Sequence, residues 1–456
     1  MASHSVSARP GLLSPDRPVR SLSIAFWLWK ALLFLVVIGA PGPGYDTSTS
    51  LLTPGLSGLS APLKFVRWDS IYFVHIAEKG YVFEQEWAFS YGYAKILAFL
   101  TFVFHPSSGD DGLGGTTKIA IVAIALSHLA HYFSVLSLYR LSINLFGQDT
   151  TRQKLICFLS AALHIICPAG AFLSAPYGES VFSFLNITGF YIYSSSVLDN
   201  RAGRRVTRDV KLFLTAIFFS AATIVRSNGI LSGYLFLCDA LLQLRVILSQ
   251  GLSVDACVHL CVIIISGCIL ALGFVVPQCA AYMEYCMSAD VSRPWCQRLL
   301  PSIYGWVQDH YWNVGFLRYW TVSNIPLFLL ALPMLFILCR SSIWGLKETL
   351  LSSSRKTAKG VQAKLPATQA SLLARLAVPQ ALLALLAFTS YHVQIINRLS
   401  SGYPLWYWYL AHQIFGDSGK AGPTINHSPV VKFAVQGAVI YAFIQAILFG
   451  SFLPPA

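Results

Sequence analysis

Ten apolar stretches, most of them close to 20 residues long, constrain what this chain can fold into. A helix needs about 20 apolar residues to cross the hydrocarbon core of a bilayer. Inside that core the backbone must satisfy its own hydrogen bonds, which helices do within one segment. The ten stretches are Leu22–Ala40, Lys118–Tyr139, Leu155–Leu173, Tyr177–Leu198, Lys211–Val225, Ile230–Leu248, Cys257–Tyr282, Trp320–Cys339, Leu376–Tyr391 and Val430–Phe452. We therefore predict an all-α polytopic membrane protein with a single integral membrane domain over residues 1–456.

The composition excludes a purely soluble enzyme. Charged residues make up 11% of the chain and hydrophobic residues 55%, whereas soluble domains carry roughly 25% charged residues. The net charge of +13 does not indicate nucleic-acid binding, because no basic run is interleaved with stacking aromatic residues. No Cys-x-x-Cys pair, His-rich tract or dinucleotide fingerprint is present, so neither a metal nor a cofactor is expected.

Basic residues orient the predicted spans. They cluster in the N-terminal tail, at residues 140–154, at 200–211 and at 340–375, and such clusters favour the cytoplasmic side. All four lie on one side only if the shorter apolar run Ala88–Phe104 does not cross the membrane. We therefore predict that residues 41–117 form one far-side region with interfacial helices, that 341–375 is a basic cytoplasmic loop, and that 393–429 lie on the far side.

Asp69 is the first candidate for chemistry. It follows Arg67-Trp68 and precedes a helical pattern of about ten residues that Gly80 could end. Asp is a favoured N-cap residue, so a structural role is one interpretation. A carboxylate at a membrane interface can also act as a general base, and the two roles are compatible.

Further polar residues stand at the predicted span ends. Glu179 follows Tyr177 at the mouth of a hairpin, where it either interacts with a helix N-terminus or belongs to a functional site. Arg226 either extends to lipid headgroups or holds a phosphate. The dipeptide Asn228-Gly229 indicates a turn.

A second polar group lies near the C-terminus. His392, Gln394 and Arg398 precede the aromatic run Tyr403–Tyr409. That run is typical of a membrane-interface belt, and aromatic faces beside polar groups also suit sugar rings. The polar side chains are candidates for substrate binding.

Together these segments resemble the GPI mannosyltransferase II family (phosphatidylinositol-glycan class V) of the GT-C superfamily. The chain departs from the family pattern after Phe89, where the family continues with prolines, and at Ile325, which separates Asn324 from Pro326. The similar segments are Arg67-Trp68-Asp69, Ile76–Tyr81, Glu86–Phe89, Ser174–Glu179, Arg226–Gly229, Tyr319–Pro326 and His392–Trp408.

The resemblance implies an enzyme of the endoplasmic reticulum membrane with a GT-C-like helix bundle and a luminal active site. It implies transfer of mannose from dolichyl-phosphate mannose, with inversion, as the second, α-1,6-linked mannose of the GPI precursor. Fungal members of the family work with a small membrane partner protein, which implies a possible partner subunit. Asp69 is then the expected base. The expected substrate-binding residues are Arg67, Trp68, Tyr177, Glu179, Arg226, Asn228, His392, Gln394 and Arg398.

Two other function classes stay open at this point. A secondary transporter would carry an internal repeat and charges near the middle of the membrane, and a scaffold subunit would need no polar site. In addition, Cys286 and Cys296 lie in one far-side loop. In an oxidising compartment they can form a disulfide or stay as free thiols.

Overall fold

The fold is that of a helical membrane protein. The computed structural model describes residues 14–41, 44–53, 60–105, 114–287, 293–354, 366–415 and 429–453. These residues form α-helices joined by short 3-10 turns, and no β-strand occurs among them. Eight helices within these ranges are long and apolar enough to cross a membrane. The predicted all-α polytopic fold is confirmed.

The helices follow the predicted spans closely, although several extend beyond them. The helices are α1 (Pro18–Gly39), α2 (Asp69–Lys79), α3 (Tyr91–Phe104), α4 (Gly115–Phe146), α5 (Thr151–Ile165), α6 (Glu179–Arg201), α7 (Arg205–Val225), α8 (Tyr234–Gln250), α9 (Val254–Tyr282), α10 (Ile303–Trp312), α11 (Ile325–Ser354), α12 (Ala367–Thr389), α13 (Ile396–Leu399), α14 (Leu405–Ile414) and α15 (Pro429–Gly450). Eight predicted spans fall on the long apolar helices α1, α4, α6, α8, α9, α11, α12 and α15. The other two fall on α5, which has only 15 residues, and on α7, whose first turns carry Arg205, Arg208 and Lys211.

Small and polar residues bring the central helices together. A Cβ added at Gly189 would lie 2.4 Å from the Phe219 ring, so glycine sets the approach of α6 to α7. The hydroxyl groups of Ser134 on α4 and Ser183 on α6 are 2.9 Å apart in a buried hydrogen bond. Such contacts replace the hydrophobic effect between helices that are surrounded by lipid.

The path of the chain after Arg398 corrects the predicted topology. The Tyr407 and Trp408 side chains are fully buried, and Trp408 Nε1 donates a 2.8 Å hydrogen bond to Ser142 Oγ near the end of α4. Further along, Arg152 Nη2 donates to the Phe415 carbonyl oxygen at 3.3 Å. Residues 396–415 therefore run through the bundle, from the end that carries Asp69 to the end that carries Arg152. We name these two ends the Asp69 end and the Arg152 end.

Two expectations from the sequence are therefore wrong. Residues 393–415 do not stay at one end of the bundle, and the aromatic run is not an interface belt. Interface belts and buried aromatic packing have the same composition, and α14 contains only ten residues. Neither the aromatic pattern of this segment nor its length therefore distinguished an interface belt from a buried segment that crosses the bundle. Residues 416–428, the rest of the predicted far-side segment, lie outside the described residues.

Helix α15 returns to the Asp69 end. The Tyr45 amide donates a 2.9 Å hydrogen bond to the Ser451 carbonyl oxygen, and the rings of Trp68 and Phe452 meet edge to face at 5.1 Å. The last helix thus ends beside the segment that carries Asp69.

The described residues of two predicted regions outside the spans are largely helical, whereas residues 355–365 of the basic loop lie outside the described ranges. Helix α3 has 14 residues, about 21 Å at 1.5 Å per residue, which is shorter than a hydrocarbon core of about 30 Å. In the predicted basic loop 341–375, α11 continues to Ser354 and α12 begins at Ala367. The side of the membrane on which each region lies stays a prediction.

Candidate active site

Six of the ten predicted site residues line one cavity. It has a volume of about 310 Å³ and lies at the Asp69 end of the bundle. The residues come from three distant parts of the chain, which only the folded bundle brings together. They are Asp69, Arg226, Asn228, His392, Gln394 and Arg398.

The carboxylate of Asp69 is available for chemistry because it does not cap its helix. Helix α2 begins at Asp69, and Trp68 occupies the N-cap position. The turn is closed by Ser70 instead, whose hydroxyl donates to the Arg67 carbonyl oxygen at 2.6 Å. The Asp69 side chain is 42% exposed. The N-cap interpretation is therefore wrong, and the carboxylate faces a solvent-accessible cavity.

Trp68 holds a strained backbone conformation directly before Asp69. Its φ of 55° and ψ of −128° lie in a region that bulky residues rarely adopt, and such strain costs roughly 1–3 kcal/mol. Packing maintains this conformation. Phe452 contacts the Trp68 ring, and the Arg67 guanidinium lies 4.5 Å from the centroid of the same Phe452 ring. Helix α15 thereby fixes the direction in which Asp69 points.

Two arginines and two carboxylates form a continuous ionic chain. Arg398 Nη1 lies 3.2 Å from Asp69 Oδ2 and 3.6 Å from Glu179 Oε1. Arg226 Nη2 forms an ion pair with the same Glu179 oxygen. Glu179 is fully buried at the first residue of α6, where the helix dipole favours an anion. The two cations balance the two carboxylates, so the buried charges compensate one another.

The side chains of Arg398 and Arg226 differ in exposure and in the number of their carboxylate partners. The Arg398 side chain is 9% exposed, and its guanidinium lies over Phe172, 4.4 Å from the ring centroid. The Arg226 side chain is 20% exposed. The Nε atoms of both arginines are buried and have no hydrogen-bond partner among the described residues. Arg398 is held between two carboxylates, whereas Arg226 contacts one carboxylate and is the more exposed donor for a bound anion.

His392, Gln394 and Asn228 are the other predicted residues that line the cavity. The pKa of His392 lies below its ordinary value, mainly because the side chain is buried. The charge of Asp69 raises this pKa, and the charge of Arg398 lowers it further. The imidazole is therefore neutral near pH 7. Gln394 Oε1 accepts a 3.2 Å hydrogen bond from the Tyr319 hydroxyl. Asn228 Nδ2 donates to the Tyr403 hydroxyl at 3.2 Å.

Arg67, Trp68 and Tyr177 are not brought into the lining of this cavity. Arg67 Nη1 donates to Thr49 Oγ1 at 3.2 Å, and the Tyr177 hydroxyl donates to the Arg67 carbonyl oxygen at 2.8 Å. These contacts support the turn before Asp69 from behind. Their predicted substrate contacts stay a prediction.

Sequence reasoning missed one wall of the cavity, which α10 provides. Tyr304, Gln308 and Trp312 line it together with Ala88 and Phe89. The only signal in the sequence was the four-residue spacing on α10, which places the three side chains on one helical face. Nothing in a loop between two spans distinguishes such a face from an ordinary surface helix.

Cys286 and Cys296 form a disulfide in the segment that leads to α10, with a Cα–Cα distance of 5.6 Å. The bridged alternative is therefore confirmed. Among the described residues, no three His, Cys, Asp or Glu side chains lie close enough together to hold a metal ion.

The model of the family described as Mannosyltransferase (PIG-V) matches residues 48–456, which include every residue that lines this cavity. The chain belongs to that mannosyltransferase family. The resemblance found in the sequence is confirmed, and a transporter is disfavoured as the alternative.

Similar curated proteins point the same way. "GPI mannosyltransferase 2" of Aspergillus oryzae is 59% identical over 469 residues, covering 100% of both chains. The protein of that name from Aspergillus fumigatus is 56% identical, covering 98% of this mannosyltransferase and 95% of the relative. Among solved structures, the oligosaccharyltransferase of Archaeoglobus fulgidus matches with a TM-score of 0.44 and 12% identity, covering 94% of this chain and 55% of that one.

Proposed function

We propose that this chain is the GPI mannosyltransferase that adds the second, α-1,6-linked mannose to the GPI-anchor precursor in the endoplasmic reticulum membrane. The donor is dolichyl-phosphate mannose, and the cavity faces the lumen. Family membership and the name of the relatives support this reaction. The observation that carries it is the exposed Asp69 carboxylate, held by Arg398 in a cavity that Arg226 also lines.

The reaction is a single displacement. The donor is β-linked and the product α-linked, so the configuration at C1 of mannose inverts. The acceptor hydroxyl oxygen attacks C1 and forms the glycosidic bond, while its proton moves to Asp69. The bond between C1 and the phosphate oxygen breaks, and its electron pair leaves with dolichyl phosphate. Phosphate is a good leaving group, so no general acid and no metal ion are required.

Each charged group has a role in this reaction. Arg398 contacts Oδ2 of Asp69 and orients the carboxylate, so that the second oxygen accepts the proton. Arg226 donates to the phosphate oxygens, where negative charge accumulates as the bond breaks. Charge-assisted hydrogen bonds to an arginine are well suited to this task, and donors that are in place before the reaction stabilise the transition state most effectively.

The location follows from the substrates. The polyprenyl tail of the donor and the lipid part of the acceptor stay in the bilayer, while both headgroups meet at the end of the bundle. A cavity at that end serves both substrates. A small membrane partner subunit stays a prediction from the family resemblance.

Replacing Asp69 by Asn tests the proposal. Asn keeps the size of the side chain but cannot accept the proton. Since Asp69 is not the N-cap, its side chain is 42% exposed and Arg398 keeps Glu179 as a partner, the Asp69→Asn protein should fold and insert normally. We expect mannosyl transfer in membranes, assayed with dolichyl-phosphate mannose and synthetic precursor, to fall by roughly 10²–10⁴-fold.

Asp309→Asn is the matched control. This acidic residue lies on α10 and pairs with Arg318 but does not line the cavity, so near wild-type transfer is expected. Normal turnover by Asp69→Asn protein would place the base elsewhere. Digestion of the wild-type product with linkage-specific mannosidases checks the α-1,6 bond.

A further inference from the structure

Helix α10 presents two different faces. Tyr304, Gln308 and Trp312 recur every four residues on the face that lines the cavity with Asp69. Ile303 and Val307 are buried on the other face. Helix α10 therefore buries one apolar face in the protein and presents polar and aromatic side chains to the cavity, where a ligand can contact them.

The buried face of α10 is anchored in a small second core. Ile303 and Val307 pack there with Trp87, Ala281 and Trp295. This core is separate from the main core between the membrane helices. The helix is therefore fixed relative to the wall formed by residues 87–89.

Polar contacts reinforce this anchoring. Glu84 accepts hydrogen bonds from Trp295 Nε1 at 3.0 Å, from Trp306 Nε1 at 3.3 Å and from the Tyr311 hydroxyl at 3.0 Å. The disulfide between Cys286 and Cys296 closes the preceding segment. A wall held in this way pre-organises a binding site, which lowers the entropic cost of binding.

The cavity face of α10 keeps unused polar capacity. The side-chain amide of Gln308 makes no hydrogen bond within the part of the chain that the structure describes, although the side chain is half-buried. Among the described residues, the Tyr304 hydroxyl has a single hydrogen-bond contact, from the Ser227 hydroxyl at 3.4 Å. An amide provides two donors and an acceptor, which matches the vicinal hydroxyl groups of a sugar. The negative face of an aromatic ring suits the C–H groups of a pyranose.

The position of α10 places its side chains beside the headgroups of the substrates. The helix lies in the segment between α9 and α11 and is too short to cross a membrane, so it meets the water-soluble part of a substrate. Arg226 and Arg398 lie in other segments, and in the function proposed above Arg226 is the ligand for the donor phosphate, which leaves α10 for the other substrate. We propose that Tyr304, Gln308 and Trp312 form the subsite for the sugar headgroup of the glycolipid acceptor. This proposal rests on the function proposed above.

Separate KM values for the two substrates test the subsite. Gln308→Ala should raise the KM for the acceptor about 3- to 10-fold, the effect of losing one or two neutral hydrogen bonds. Trp312→Ala should raise it about tenfold or more, and Trp312→Phe, which keeps an aromatic ring, should restore most of the loss. The KM for dolichyl-phosphate mannose should stay within twofold in all three variants.

His310→Ala is the control, because His310 is an exposed α10 residue that stacks on Trp306 and does not line the cavity. Its two KM values should equal those of the wild type. A lipid-free mannosyl-glucosaminyl-inositol should inhibit the wild type competitively against the acceptor, with a Ki that Gln308→Ala raises by the same factor as KM.

Two results would overturn the subsite: an acceptor KM that neither Gln308→Ala nor Trp312→Ala changes, or a rise confined to the donor KM. If the wild type itself transfers no mannose to the precursor, the proposed function fails instead, and the two failures are therefore distinguishable.

Discussion

Glu179 illustrates at the scale of one residue how the site depends on paired charges. It is fully buried and contacts both Arg226 and Arg398. Removing one partner of a buried ionic group leaves uncompensated charge, at a cost of about 3–5 kcal/mol. We expect Glu179→Ala to lower the thermal unfolding midpoint of the purified protein clearly, and Glu179→Gln, which keeps the volume, to lower it less.

Removing Arg226 together with Glu179 separates charge from packing. The double variant Glu179→Ala/Arg226→Met also lacks the cation that the loss of Glu179 strands, whereas Arg398 keeps Asp69 as a partner. It should therefore unfold at a higher temperature than Glu179→Ala alone. Equal midpoints for the single and double variants would show that the lost packing, and not the stranded charge, causes the instability.

The sequence predicted the chemistry of these residues better than their local geometry. Asp69, Arg226 and Arg398 were identified because charges at span ends are expensive unless they have a use, and the structure brings them together. The strained conformation of Trp68 and the closing hydrogen bond of Ser70 were not predictable. The conformation of Trp68 depends on packing against the distant Phe452, and the hydrogen bond of Ser70 is one of several local ways to close the same turn.

At the scale of an element, the disulfide before α10 controls one wall of the cavity. Closing a ten-residue loop is worth roughly 3 kcal/mol at most, and that stabilisation acts on the segment that leads to α10. We expect the double variant Cys286→Ser/Cys296→Ser to show a raised KM for the acceptor and an unchanged KM for the donor. Steady-state kinetics with each substrate varied in turn measures both.

Reduction provides an independent check of that prediction. A reducing agent should reproduce the kinetics of the double Ser variant in the wild type and leave the variant itself unaltered. A parallel rise in both KM values would indicate general loosening of the site, in conflict with a local role of the bridge.

Element prediction succeeded where apolar length was decisive and failed where it was not. The long spans were evident because a run of about 20 apolar residues has few interpretations other than a membrane-spanning helix. Helix α14 was missed because its ten residues are too few to cross the bundle alone. The chain crosses the bundle only when the turns before α14 are included. Helix α10 was missed because its importance depends on which cavity its face meets.

At the scale of the whole molecule, the traverse of residues 396–415 changes the end of the bundle at which the C-terminus lies. Ser451 and Phe452 lie beside Tyr45 and Trp68 at the Asp69 end, whereas the first helix begins at the opposite end. We expect a glycosylation sequence on a spacer fused after the last residue to be modified. A sequon engineered near Asn200, at the Arg152 end, should not be modified.

Mobility shifts after endoglycosidase treatment decide the topology. Modification near Asn200 would reverse the orientation of the bundle. Modification of the native Asn426-His427-Ser428, without modification at the C-terminal extension, would contradict the extra traverse and restore the topology predicted from the sequence.

The contact between Trp68 and Phe452 also has a consequence during biosynthesis. The partners Asp69 and Arg398 alone are 329 positions apart, and a ribosome that adds about 5–20 residues per second needs roughly 15 to 70 seconds to make that stretch. During this interval Asp69 lacks its ionic partner Arg398, and Trp68 lacks the Phe452 ring that packs against it. A chain interrupted before α15 therefore leaves Arg67 and Trp68 without the Phe452 ring that packs against both side chains. We expect such nascent chains to be the form that quality control in the membrane recognises first.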